Sequence, residues 1–563
     1  MAEASHTNRW KNPASNLWSW VTPAALFLGS FTAYSSTLTR WYTYDAVSYA
    51  LQVRTFIETG DVSYLCHPHH VLYNGMGLFF WRVMKALGST STPLAALQYM
   101  NALWGAAGVA LIYIVVSKGG LRIFKPDQPP YAAGRLLGLG AALALGTGFG
   151  YWTCATDGRV NMPGLVLIIL NVGLLWGMLD SPSMLQCGAA AIAGVLAVGL
   201  HQSHGLLAIA AVGTMLTIPR PLVQRLGYAI LYTALFSGGV AAMYLTVCLV
   251  ARGLRSVAEF RHWSLSYAED GRWWSFDVRN NLPSDVQALV HSFVSSKGQE
   301  AGTTASETLR RFIAVGSATA ALMPGLHSCR LLRRAVRINV QPSFYDLRRS
   351  KIGILALVMI PYAAFFTVWN PGYFVFWMPM AVAILLWLPM ACGGLRSWKI
   401  AGAAILFGCA VYMMNANLRS TILPRTEWRH NPVLLLCDAL KKNSKKGDLI
   451  LVTGMSDLAV AETYIPYFTP LDLDSINIAM KDHGAEKAID IMRDAIRDRI
   501  AHGHQVMLLD EFHNQTAWRA IISRYQAPPD TKEEILSGYD TRYLFTVRQT
   551  RVFGLTPERT ARR

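Results

Sequence analysis

Thr153-Cys-Ala-Thr-Asp157-Gly-Arg159-Val-Asn161-Met-Pro163 runs directly into Gly164-Leu-Val-Leu-Ile-Ile-Leu-Asn-Val-Gly-Leu-Leu-Trp-Gly-Met-Leu179. Residues 163–179 form an apolar run of span length. A helix crossing a bilayer needs about 20 mostly apolar residues, because no backbone polar group can go unsatisfied in hydrocarbon. The turn before it is too short for a domain, yet it holds an acid and a base. Reading outward on the same criterion gives eleven spans, near 20–38, 94–116, 136–153, 163–179, 185–201, 203–218, 226–250, 310–328, 352–368, 373–391 and 398–415. The fifth and sixth are the least distinct as separate helices. Val71 to Leu87 is apolar but carries Arg82 and Lys85, and reads as a helix lying in the interface.

The composition agrees. Of 563 residues, 52% are hydrophobic and only 15% charged, whereas soluble domains carry about 25% charge. Disordered, collagen-like and disulfide-framework classes are excluded. The net charge of +17 suggests nucleic acid until it is located. Residues 430–563 balance 18 basic with 18 acidic side chains, so the whole excess lies in residues 1–429. Cytoplasmic loops beside anionic lipid produce that pattern. The expected partners are therefore membrane lipids and no nucleic acid. Residues 1–20 are polar, and Val21 to Leu38 reads as an uncleaved first helix. Four of the eight cysteines, at 187, 248, 392 and 409, lie in apolar runs as small hydrophobes. Cys66 and Cys154 fall on one expected side and are candidates to pair.

Orientation follows from the loops. With the N-terminus inside, the inner connections carry Lys118, Arg122, Lys125 and Arg135, then Arg220 and Arg225, then a cluster from Arg330 to Lys351, then Arg396 and Lys399. The short outer connections hold only Arg159. The C-terminus then lies outside. From about Arg419 the texture changes: Asp448–Thr453 and Gln505–Asp510 read as buried strands, and Ala485–His502 as an amphipathic helix with Ala488, Ile489, Met492, Ile496 and Ile500 on one stripe. Thr453-Gly454 lacks the further glycines of a dinucleotide fingerprint. The expected fold is an α-helical polytopic membrane protein, residues 1–418 with outer loops 39–93 and 251–309. A small extracytoplasmic α/β domain, residues 419–563, follows it.

The chemistry gathers near the outer ends of the spans. Trp41-Tyr-Thr-Tyr-Asp45-Ala follows the first span, and Cys66-His67-Pro-His69-His70-Val-Leu-Tyr73 comes about 25 residues later. A carboxylate at a membrane interface is costly to desolvate and is often functional. Asp45 is equally well placed to cap a helix over Ala46–Thr59, and spacing alone leaves both readings open. Asp157 emerges on the same side, so two acids and three imidazoles form an acid–base or metal-binding constellation. His201-Gln-Ser-His204 adds two more imidazoles, for which a polar interface role is the commoner one. Arg261-His-Trp263 and Arg272-Trp-Trp274 interleave base and aromatic, as interfacial anchors or as a headgroup clamp.

The chain resembles the bacterial GT-C membrane glycosyltransferases, the superfamily of the protein O-mannosyltransferases and the lipid A aminoarabinose transferase. Four features carry the likeness: Tyr44-Asp45-Ala; His67-Pro-His-His-Val-Leu-Tyr73; Ala155-Thr-Asp157-Gly-Arg-Val-Asn161; and Val368-Trp-Asn-Pro-Gly-Tyr-Phe-Val-Phe-Trp-Met-Pro379. The resemblance implies a transferase that takes sugar from a polyprenyl-phosphate donor on the outer face. It implies a lipid, glycan or protein acceptor, and a bacterial inner membrane as the location. It also implies Asp45 and Asp157 as the catalytic acids. The paired Asp-Glu of the mannosyltransferases is absent, since Ala46 follows Asp45, and no Asp-x-Asp occurs in the second outer loop. A divalent metal is compatible with these residues and not required by them. Phosphate capture falls to His67, His69, His70, Arg159, Arg261 and Arg272. A transporter or lipid flippase is the alternative, but it would place ionisable residues at mid-span and show internal repeats. An assembly partner leaves the polar cluster after the first span without a purpose.

Overall fold

Local signals set where the apolar runs become helices. Thr92 accepts the amide of Ala95 and Pro93 takes the first helical position; Gly119, at φ +69°, closes the helix. Ser183 caps the helix that follows it in the same way. The computed structural model describes residues 13–121, 132–269, 273–295, 344–392, 396–453, 472–548 and 550–558. These form two compact units, residues 1–39 with 52–424, and residues 40–51 with 425–563.

The first unit is helical. Its main elements are α1 (Pro13–Ser36), α2 (Tyr44–Thr59, whose start belongs to the second unit), α3 (Tyr73–Ala86), α4 (Pro93–Lys118), α5 (Ala132–Thr147), α6 (Phe149–Thr156), α7 (Asn161–Asp180) and α8 (Met184–Leu200). After these come α9 (Leu207–Thr217), α10 (Leu222–Thr246), α11 (Val257–Glu269), α12 (Val278–Phe293), α13 (Phe344–Val368), α14 (Met378–Cys392) and α15 (Arg396–Asn417). Helix α4 is central and packs against α1, α3, α5, α6 and α7. Inside this apolar bundle, side chains satisfy polar groups across helices. Tyr151 donates to the Gly105 carbonyl at 2.8 Å, Tyr34 to Gly146 at 2.9 Å, and Asn171 to Ala190 at 2.8 Å. At the end of α7, Lys351 Nζ meets Asp180 Oδ2 at 2.8 Å and the Gly119 carbonyl at 2.6 Å. Asp157 precedes the other end of α7, about 30 Å away at 1.5 Å per residue.

Eleven spans were expected. Among the described residues, six helices are long and apolar enough to cross a membrane: Pro93–Lys118, Asn161–Asp180, Leu222–Ala251, Lys351–Val368, Phe374–Cys392 and Lys399–Thr426. The expected span 136–153 is a seventh broken in two, with Gly134–Thr147 and Phe149–Thr156 meeting at a 62° bend. Residues 185–201 and 203–218 become α8 and the 11-residue α9, separated by a 3-10 turn over Gln202–Leu206. The His201 ring accepts the Ser203 amide and starts that turn, so neither helix reaches full span length. The expected span 310–328 lies outside the described residues.

The second unit is α/β. Beyond α16 (Pro432–Asn443) it holds β1 (Leu449–Val452), β2 (Asp472–Ser475), α17 (Ile476–His483), α18 (Ala485–Ala501), β3 (Val506–Leu509), α19 (Gln515–Tyr525), β4 (Tyr539–Val547) and β5 (Thr550–Pro557). The sheet order is β2-β1-β3-β5-β4. The first three strands are parallel, and the β4–β5 hairpin joins β3 antiparallel. Strands β1 and β3 are buried along their length, as parallel strands with covered faces are. Ala488, Ile489, Met492 and Ile496 of α18 are buried in the same core, and Ile500 packs at its margin. The strip 40–51 is tied in through the Arg40 amide to the Arg425 carbonyl, Asn431 Nδ2 to the Arg40 carbonyl at 2.7 Å, and the Arg425 guanidinium over Trp41.

Candidate functional site

The His-Pro motif folds as a tight turn in which the His70 amide donates to the His67 carbonyl at 3.0 Å. This brings the His67 and His70 rings into a stack with centroids 5.1 Å apart, and His69 meets both edge-on. The turn is pinned to the end of α8. The Leu72 amide donates to Gly199, the Gln202 amide to His69, and His70 Nδ1 bonds the Leu200 carbonyl at 3.0 Å. His201 then lies 5.0 Å from His70, and His204 5.7 Å from His201. Five imidazoles from two segments about 130 residues apart thus form one cluster. Burial pushes His67 down to about 3 and His69 to about 4, and holds His70 and His201 well below the usual imidazole value. The four rings are neutral at neutral pH. Among the described residues no group of three or more His, Cys, Asp or Glu is arranged to hold a metal ion.

The Asp157 turn joins this cluster through Tyr73, the last residue of the His-Pro motif. Its hydroxyl donates to the Gly158 carbonyl at 2.7 Å. Asn101 of α4 donates to the carbonyls of Asp157 and Arg159 at 2.7 and 2.6 Å. Within the turn, Asp157 Oδ1 accepts the Gly158 amide at 2.8 Å, and Oδ2 accepts Arg159 Nε at 3.1 Å. Both side chains are buried, at 1% and 6% exposure. Asp157 is therefore an enclosed partner of Arg159, in the short turn where the sequence sets an acid beside a base. Asn101 and Gln98 were not singled out from the sequence, although polar residues inside an apolar span were the available signal.

Next to the turn is a small hollow lined by Asn161, His201, Ser203, His204, Phe366 and Phe376, among others. Ser203 Oγ is 2.7 Å from His201 Nδ1, and His204 Nδ1 is 2.8 Å from the Tyr362 hydroxyl. The Phe376 ring stacks on Phe366 at 4.8 Å and meets His201 edge-on at 5.8 Å. Three of the four quoted motifs, together with the His201–His204 turn, therefore converge at one end of the bundle.

Asp45 is half-buried in the first turn of α2 and belongs to the second unit. The amide of Ala46 donates to Thr43 Oγ1 at 3.4 Å. Arg261 is exposed on α11, and Arg272 lies outside the described residues. Trp263 is buried against Tyr244 in a cluster with Val71, Val198 and Cys248, so it is a packing residue and not an interfacial anchor. The Trp273 carbonyl accepts the Asn370 amide, and Trp274 packs edge-on against Trp369 at 4.8 Å. These two tryptophans brace the Trp369–Gly372 turn. Cys66 and Cys154 are both free thiols.

No protein-family profile and no curated protein sequence matches the chain. Among solved structures, it is similar to ArnT from Cupriavidus metallidurans in the apo state, with 15% identity, 96% of this chain and 98% of that one covered, and a TM-score of 0.51. The same enzyme bound to undecaprenyl phosphate gives 13% identity, the same coverage and a TM-score of 0.51. The Archaeoglobus fulgidus oligosaccharyltransferase, at 11% identity, covers 98% of this chain and 75% of its own, with a TM-score of 0.48. The chain thus has the GT-C fold, and six helices among its described residues are long and apolar enough to cross a membrane. Within that fold the whole chain, sheet domain included, is similar in architecture to ArnT.

Proposed function

We propose that the protein is a membrane glycosyltransferase. In this reading it moves a sugar from a polyprenyl-phosphate donor to a lipid, glycan or protein acceptor of the envelope, at the outer face of a bacterial inner membrane. The observation that supports it most is the contact of Tyr73 with Gly158, which joins two of the motifs that carry the family likeness. The ArnT structure bound to undecaprenyl phosphate, with which this chain shares its fold, supports a prenyl phosphate as the carrier.

In the reaction the acceptor hydroxyl gives its proton to a base while its oxygen attacks the anomeric carbon. The bond from that carbon to the phosphate oxygen breaks, and the carrier leaves as prenyl phosphate. Asp45 is the proposed base. Asp157 serves by orienting Arg159, whose guanidinium is a planar donor suited to phosphate. His67 and His69 offer neutral N–H donors, while His70, whose Nδ1–H is given to the Leu200 carbonyl, donates to phosphate from Nε2 only once protonated; an arriving phosphate raises the proton affinity of all three by its opposite charge. Arg261 and Arg272 are the further proposed contacts to the phosphate headgroup. The test is transfer of labelled sugar from a synthetic polyprenyl-phosphate donor by the purified protein. Asp45→Asn should lower turnover by about 100-fold or more if the base is lost, and undiminished transfer removes Asp45 from the mechanism. If the wild type consumes no donor across a panel of sugars, the transporter reading takes its place.

A further inference from the structure

Helix α12 is capped by Asp277, which accepts the Asn280 amide, and it carries one acid that does not face water. Asp285 is 1% exposed. A carboxylate is expensive to bury unless it is hydrogen-bonded. Its Oδ1 accepts the amide of Gly372 at 2.9 Å. Its Oδ2 has no hydrogen-bond partner, and neither has the indole Nε1 of buried Trp377, which lies close to the same carboxylate. Burial pushes the Asp285 carboxyl up, and the Gly372 amide, with the nearby polar groups of Thr367 and Trp377, draws it back.

The segment this acid touches has little structure of its own. Asn370 and Gly372 both sit at positive φ, +50° and +77°, between the end of α13 and the short 3-10 turn Phe374–Trp377. Other residues of α12 and the residues before it hold the same stretch from outside. Asn281 Nδ2 donates to the Thr367 carbonyl at 2.7 Å, the Ser275 amide to Val368 at 2.8 Å, and Ser292 Oγ to Phe374 at 3.1 Å. At the far side of the segment, Phe376 is the aromatic wall of the hollow, against His201 and Phe366.

We infer that Asp285 is a positioning residue: by gripping the segment at Gly372 and beside Trp377, it fixes Phe376 as one wall of the hollow that holds His201 and His204. That this wall shapes the site for a prenyl-phosphate sugar rests on the proposed function; the grip itself does not. Asp285 touches no reacting atom, so its removal should act through the segment.

The experiment compares full-length wild type with Asp285→Asn and Asp285→Ala in detergent. The readouts are amide exchange of residues 370–377, carbethoxylation of His201 by diethyl pyrocarbonate, and transfer kinetics with the synthetic donor. Asparagine keeps an acceptor oxygen for Gly372, so Asp285→Asn should stay within about twofold of wild type in exchange and modification. Asp285→Ala should exchange and modify about tenfold faster, as loss of a hydrogen bond to a charged group implies. Its KM should rise about tenfold with kcat held within about threefold, the mark of a misplaced binding wall. If the alanine variant does not fold, Asp285→Ser, which cannot reach Gly372, serves in its place with the same expectations. A folded alanine or serine variant with wild-type exchange and wild-type His201 reactivity overturns the inference. So does an asparagine variant as loose as alanine. A wild type that turns over no donor sinks only the transferase reading, because exchange and carbethoxylation need no substrate.

Discussion

Arg159 and Asp157 form a pair from which water is almost wholly excluded. Such a pair is weak evidence for stability as a whole, but removing one member strands the other charge, at a cost of about 3–5 kcal/mol. Arg159→Met should therefore lower the thermal midpoint of the detergent-solubilised protein by several degrees. Asp157→Asn should cost a similar amount, since one acceptor oxygen becomes an amide donor and the buried Arg159 loses its counter-charge. Midpoints unchanged in both variants would mean that the turn is held by Asn101 and Tyr73 alone. The imidazoles make a second prediction at this scale. In the unfolded chain each titrates near 6.5, while in the folded one His67 lies near 3 and His69 near 4. The unfolded state binds more protons below pH 6.5, so stability is full above that value and is lost as pH falls toward 4. The loss is at most about 1.4 kcal/mol per pH unit for each imidazole. Thermal melts at pH 7 and pH 5 should show the drop, and His67→Gln should reduce it. Asp157 and the three histidines were visible in the sequence because they stand out in short polar turns. Asp285 was not, since a single acid in an amphipathic segment looks solvated until its contact with Gly372 is known.

Among the elements, α7 shows how closely the bundle is fitted around the site. A Cβ added at Gly164 would come within 2.5 Å of His204 Nε2. Gly164→Ala should therefore displace the His204 ring from Tyr362 and the hollow. Transfer should fall by about tenfold or more for so small a misplacement, with the helix itself favoured by the better helix former. Unchanged transfer would show that His204 does not need its present place. The helices were legible wherever an apolar run was long and its ends carried cap residues, as at Thr92 and Gly119. The α8–α9 region was less so. Hydropathy sees two adjacent apolar runs, whereas the break comes from His201 and Ser203 bonding to one another and to the backbone. The 62° bend between α5 and α6 likewise leaves no mark in a hydropathy profile.

At the scale of the whole molecule, the basic excess of residues 1–429 separates a membrane part from a charge-balanced one. The small α/β fold was legible from two buried strands and one stripe of α18. The β4–β5 hairpin was not, because β4 is largely exposed and the buried stretch of β5 is short, Val552 to Leu555. Sidedness follows from the proposed outer location of this domain. In a variant series with the native thiols replaced, a cysteine at exposed Ser537 should react with an impermeant maleimide added to intact spheroplasts, and one at exposed Arg220 should not. The opposite labelling would invert the orientation and remove the outer-face chemistry with it.

The second unit draws its residues from both ends of the chain, and this has a consequence for its biogenesis. The strip 40–51 leaves the ribosome some 370 residues before residues 425–563. At roughly 5–20 residues per second, that is a wait of tens of seconds. Nascent chains arrested before residue 425 should accordingly be clipped by protease within this strip, and completed chains should resist.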